Sequence, residues 1–136
     1  MYTVTTKSEF DAAHFLAGYD GKCRNIHGHR WEVMVRVSRD KLEGSGMVVD
    51  FKDLKKDLRN MAEGFDHCLI MEGGTLKPAT LAALKEEGFC IVEVAFRPTA
   101  ENFAKYFYEE MKKKGYAVSS ALVYETPTNC AEYRED

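Results

Sequence analysis

From His27 to Ser38 the chain alternates without a break. Trp31, Val33, Val35 and Val37 share one parity, and Arg30, Glu32, Met34, Arg36 and Ser38 take the other. Successive side chains of a strand point to opposite faces of its sheet, so this spacing predicts a strand with one buried and one wetted face. That is the signature of an antiparallel sheet, since parallel sheets are covered on both sides. Residues 2–14 are rich in Thr, Val and aromatic side chains, a strand composition, and place Phe10, Ala12 and His14 on one face.

The period changes at Asp50. Phe51, Leu54, Leu58, Met61 and Phe65 recur at helical spacing, with Asp50 placed to cap the helix and Gly64 near its end. Thr99 precedes a second helix whose apolar face is Ala100, Phe103, Phe107 and Met111, with Gly115 as the stop. Residues 117–125 read as a strand and 130–134 as a short final one. In the middle section, 71–96, Pro78 to Gly88 has the composition of a short helix and Phe89 to Phe96 that of a further strand. This order predicts an α+β fold with the helices on one face of the sheet.

The 136 residues suit one domain, and no internal repeat, low-complexity stretch or linker divides them. A net charge of −3 with both signs interleaved argues against nucleic-acid binding, and Lys112-Lys113-Lys114 reads as the solvated last turn of a helix. The opening Met1-Tyr2-Thr3-Val4-Thr5-Thr6 has no basic flank or apolar core of a signal peptide, and no apolar run approaches the ~20 residues of a membrane span. Cys23, Cys68, Cys90 and Cys130 form no CxxC pair, so four free thiols in a cytoplasmic protein are expected, with no membrane partner.

Three of the four histidines form a compact pattern: His14, then His27-Gly28-His29. Strand residues at i and i+2 project to the same face roughly 6.5–7 Å apart, so His27 and His29 can converge on one ion, given backbone room at Gly28. His14, at the end of the neighbouring strand, supplies a third nitrogen. Three imidazoles suit zinc and leave a fourth position for water or substrate. Cys23, four residues before His27, has two readings: the fourth ligand of a closed structural site, or a thiolate working beside the metal, in a loop made positive by Lys22 and Arg24. Asp66-His67 is either an acid/base relay or a solvated helix end. Glu125 is either a solvated strand end or a carboxylate able to accept two N–H bonds from the guanidine-like edge of a pterin or guanine.

The segments Phe10-Asp-Ala-Ala-His14, Cys23-Arg-Asn-Ile-His27-Gly-His29, Asp66-His67, Pro98-Thr-Ala-Glu-Asn102 and Tyr124-Glu-Thr126 together resemble the 6-pyruvoyltetrahydropterin synthase family, over nearly the whole chain and in order. The three-residue gap between Cys23 and His27 is similar to the bacterial and archaeal carboxy-forming branch, which serves queuosine biosynthesis. The resemblance implies a zinc-dependent lyase that takes 7,8-dihydroneopterin triphosphate to 6-carboxytetrahydropterin, acetaldehyde and triphosphate. Its sister reaction makes the pyruvoyl product, and its aldolase-like branch carries glutamate in place of the cysteine. Outside enzymes, the same residues would suit a binding module with a structural zinc. By the same resemblance His14, His27 and His29 are the zinc ligands and Cys23 the proton-abstracting base. Asp66 and His67 are its relay, reached from a neighbouring subunit, and Glu125 is the pterin anchor, with Thr99 and Glu101 lining that pocket. It implies the tunnelling fold, an antiparallel sheet with two helices on one face, built into trimers and then hexamers. The stretch at about 71–96 is longer than in compact members, which predicts a helix and a strand at the periphery or at a subunit contact.

Overall fold

The computed structural model describes residues 1–136. The alternating segment forms β2 (His27–Arg39), which pairs along its whole length with β1 (Tyr2–His14) as an antiparallel ladder. Trp31, Val33 and Val35 are fully buried and Val37 nearly so, while Glu32, Met34, Arg36 and Ser38 stay partly wetted. β5 (Val118–Thr126) adds to β2, and β6 (Asn129–Tyr133) to β5, both antiparallel.

Helix α1 (Phe51–Glu63) begins where predicted: the Asp50 carboxylate accepts the Lys52 N–H at 2.8 Å. Leu54, Leu58 and Ala62 are buried, but Phe51 is 57% exposed. Helical side chains lean toward the N-terminus, so a first-residue ring reaches past the helix start and off the core. Helix α3 (Ala100–Lys113) starts at Thr99, whose hydroxyl accepts the Asn102 N–H, and buries Phe103, Phe107 and Met111 completely. Both helices cover the sheet face that carries Phe10 and Trp31. Phe10 meets Trp31, Phe65, Phe103 and Phe107 at ring centroids 5.5–6.2 Å apart. Each such ring contributes roughly 1.5–3 kcal/mol by leaving water, so packing, more than helix propensity, holds α3.

The middle section differs from the reading of its composition by one element. β3 (Cys68–Glu72) lies between β1 and β4 (Ile91–Val94), parallel to both, giving the order β4-β3-β1-β2-β5-β6. Ile70 and Met71 are adjacent and both fully buried, so this strand is covered on both faces and lacks the alternation that revealed β2. The antiparallel arrangement thus holds for β1, β2, β5 and β6, and the inserted strands join in parallel. Helix α2 (Pro78–Glu86) buries none of its residues and is peripheral. No helix is long and apolar enough to cross a membrane.

The β3–β4 pairing overturns the expectation of four free thiols. Leu69 and Ile91 are cross-strand partners, which sets Cys68 beside Cys90 with Cα atoms 4.9 Å apart, and the two are joined as a disulfide. Cys23 and Cys130 are free.

Candidate metal centre

The β1–β2 register sets His14 directly opposite His27 and Ala12 opposite His29. One donor atom from each of His14, His27, His29 and Glu125 lies within 4.8 Å of the others. Gly28 is not required for this convergence: a Cβ there would meet only the Ala12 carbonyl at an ordinary 3.6 Å.

The tautomers follow from the hydrogen bonds. His14 Nδ1 lies 2.7 Å from the Pro98 carbonyl and His27 Nδ1 lies 2.7 Å from the Asn25 carbonyl. A carbonyl can only accept, so both Nδ1 atoms carry the proton. The two Nε2 atoms of the neutral rings then present lone pairs to each other at 3.1 Å. Nothing in the chain satisfies that pair. A tetrahedral ion with 2.0–2.1 Å bonds needs nitrogens about 3.3 Å apart, close to what is found. Carbonyls that orient the far side of ligating imidazoles are the usual support of a metal site.

The other two donors complete the group. Glu125 Oε1 is 2.9 Å from His29 Nε2 and 3.6 Å from His14 Nε2. His29 Nε2 is buried and makes no hydrogen bond, with Glu125 Oε1 beside it. Burial holds the His14 imidazole below its usual pKa, against the opposing pull of the Pro98 carbonyl, so the ring favours its neutral, ligating form. Trp31 forms the floor, edge-on to His14 at 4.9 Å and to His29 at 5.6 Å. This donor set fits a metal ion.

Cys23 sits in a single turn of 3₁₀ helix (Lys22–Arg24), tied to the end of β1 by the Leu16 N–H on the Cys23 carbonyl at 2.8 Å. It is half-buried and does not join the four-donor group. The fourth donor is Glu125, expected from the sequence as a pterin anchor and not as a member of the histidine group. Glu125 also lines a cavity of about 630 Å³ with Glu9, Arg30, Glu32 and Tyr124.

Asp66 and His67 form the expected dyad, at 2.7 Å, with no hydrogen bond from either to Cys23. They are clamped to β1. Asp66 Oδ1 accepts the Asp11 N–H at 2.8 Å, and the His67 N–H donates to the Asp11 carbonyl at 2.6 Å. Asp11 in turn holds Arg30 through two bonds of 2.9 and 3.0 Å. The Asp11 N–H, then His67, hold the Asp66 carboxyl below its usual pKa, and the bond to Asp66 raises that of His67. His67 adopts φ 58°, a conformation seldom seen outside glycine and enriched at functional positions, and its side chain is 79% exposed. Thr99 caps α3 and Glu101 is exposed on its first turn; neither lines the Glu125 cavity within one chain. The Asp11–Arg30 clamp and the Pro98 and Asn25 carbonyls escaped the sequence reading, since none belongs to a short-range pattern.

A sheet of this order with helices on one face, carrying three converging histidines at its rim, defines a class. The sequence model of 6-pyruvoyl tetrahydropterin synthase matches residues 3–136, and the chain belongs to that family. Among its relatives, the 6-carboxy-5,6,7,8-tetrahydropterin synthase of Haemophilus influenzae is 33% identical, the match covering 99% of this chain and all of that one. The Aquifex aeolicus protein of the same name is 34% identical, over 85% of this chain and 77% of its own. The 6-pyruvoyl tetrahydropterin synthase of Caenorhabditis elegans superimposes with a TM-score of 0.70 at 26% identity, covering 99% of this chain and 96% of the other.

Proposed function

We propose that the chain is a zinc-dependent 6-carboxy-5,6,7,8-tetrahydropterin synthase of the cytoplasm. It takes 7,8-dihydroneopterin triphosphate and water to 6-carboxytetrahydropterin, acetaldehyde and triphosphate. The observation that carries this reading is the pair of unprotonated imidazole nitrogens of His14 and His27 facing each other beside His29, four residues downstream of a free, half-buried Cys23. Among N, O and S sites, an all-imidazole triad of this geometry suits zinc. When bound, zinc supplies a Lewis acid to the side-chain hydroxyls of the substrate.

The remaining chemistry falls to the chain. Glu125 accepts the two N–H groups of the pterin's guanidine-like edge, which orients the ring in the cavity beside the histidines. The Cys23 thiolate takes a proton from the substrate side chain while pterin C6 gains one, so the ring is reduced at the expense of its own side chain. His67, held by Asp66, relays that proton. Because His67 points outward from its own chain, we assign this relay to the Cys23 of a neighbouring copy in a trimer-based hexamer. Thr99 and Glu101 would reach the pterin pocket across the same contact.

The test is product analysis with 7,8-dihydroneopterin triphosphate, on zinc-loaded and metal-stripped protein. Acetaldehyde should form in equal amount with the carboxypterin, and only with metal. A pyruvoyl product without acetaldehyde would reject the carboxy-forming reading. Cys23→Ala should keep zinc and lose turnover; full turnover by that variant would remove Cys23 from its role as base.

A further inference from the structure

Glu125 faces two ways. Its Oε1 lies against His29 and His14, at 2.9 and 3.6 Å, and the same side chain, 30% exposed, lines the adjoining cavity. A dedicated structural ligand would be buried, and a dedicated pterin anchor would have no reason to close on His14 Nε2, whose lone pair offers it no donor.

The backbone explains how one residue can do both. The β5–β6 register breaks between Tyr124 and Thr126, whose partners are Cys130 and Asn129, so Glu125 has no partner on β6. Pairing of β5 with β2 ends at Tyr124 opposite Glu32, so it has none on β2 either. Bulges of this kind re-aim one side chain and loosen the ladder locally. Glu125 therefore stands where both ladders let go, on a short stretch before the Thr126–Asn129 turn. Neither oxygen of its carboxylate is held by a hydrogen-bonding donor, and its ion-pair neighbours are the two histidines.

We propose that Glu125 exchanges partners during the cycle. At rest its Oε1 completes the His14–His27–His29 set as a fourth, displaceable ligand. When a pterin enters the cavity the carboxylate turns to the guanidine-like edge, and the vacated coordination position is left for the substrate side chain. The site thus opens only to a molecule that offers Glu125 two N–H donors, which excludes simple diols and phosphates from the metal. This inference rests on the pterin reading given above.

Cobalt(II)-loaded protein tests it without turnover, because the visible absorption of the ion reports its ligands. Neopterin, which has the pterin edge and side-chain hydroxyls but no triphosphate, should shift the spectrum of the wild type. Glu125→Gln should show an altered spectrum before any addition, and a zinc dissociation constant raised by about 10-fold or more, the scale on which ligand-sphere changes act. Glycerol, a diol without the edge, should leave the wild-type spectrum unchanged. Unchanged zinc affinity and spectrum in a folded Glu125→Gln, or in Glu125→Ala, overturns the resting ligation. A wild-type spectrum that ignores saturating neopterin overturns the exchange. Failure of the catalytic reading shows separately, as absence of product from a protein whose cobalt spectrum answers neopterin as stated.

Discussion

Trp31→Phe joins the core to the metal centre in one substitution. Trp31 is fully buried, packs between a stacked Phe10 and a tilted Phe103 at centroids of 6.1 and 5.1 Å, and stands edge-on to two of the three histidines. Its Nε1–H donates to the Ala12 carbonyl at 3.3 Å, a long bond at the low end of the usual range, about 0.5 kcal/mol. Phe keeps an aromatic ring but leaves a void of roughly 40 Å³, worth about 1 kcal/mol at ~24 cal/mol per Å³. The buried apolar area lost with the second ring adds about 1 kcal/mol more. The total, about 2–3 kcal/mol, falls within the roughly 5–15 kcal/mol of a typical fold, so the variant still folds. Urea denaturation of metal-stripped protein should give this loss, with a fall in Tm of roughly 10 °C. Because the indole edge also supports the His14 and His29 rings, zinc affinity should fall by about tenfold, measured by competition with a chromophoric chelator. A stability loss under about 1 kcal/mol would refute the packing analysis. A normal stability loss with unchanged zinc affinity would refute the role of Trp31 as the floor of the site.

Histidines that hold a metal must be neutral, so on the proposed reading zinc should be held at pH 7.5 and released as the pH falls below about 6, seen by dialysis and metal analysis; retention at pH 4.5 would contradict the donor set. Asp66 raises the His67 pKa, so the dyad's ionic bond is complete below the ordinary histidine value and is lost as pH rises through the raised one. Its carboxylate partner, held low, contributes above the ordinary carboxylate value and loses that contribution in acid. Proton NMR should place the His67 pKa above about 6.5, and Asp66→Asn should lower it toward that ordinary value; no change would dissolve the dyad in solution. Alkylation of unreduced, denatured protein should label Cys23 and Cys130 alone, and all four cysteines after reduction; four labels without reductant would contradict the Cys68–Cys90 bond.

Local periodicity already determined much of this protein. The parity of Trp31 to Val37 dictated a half-buried strand, the spacing of Leu54 and Leu58 and of Phe103, Phe107 and Met111 dictated two amphipathic helices, and His27-Gly28-His29 put two imidazoles on one face. These patterns are legible because burial imposes a period of 2 or 3.6 on neighbours along the chain. The tertiary structure decided what depends on residues far apart. Only the β1–β2 register sets His14 across from His27, and only the approach of Pro98, 84 residues away, fixes the His14 tautomer. β3 was invisible because burial on both faces erases alternation, and with it went the pairing of Cys68 and Cys90. Glu125 is the sharpest case. Its chemistry was readable as a carboxylate able to grip a pterin, but its place among the histidines comes from a bulge, a misfit between strands that has no counterpart in the sequence of either one alone.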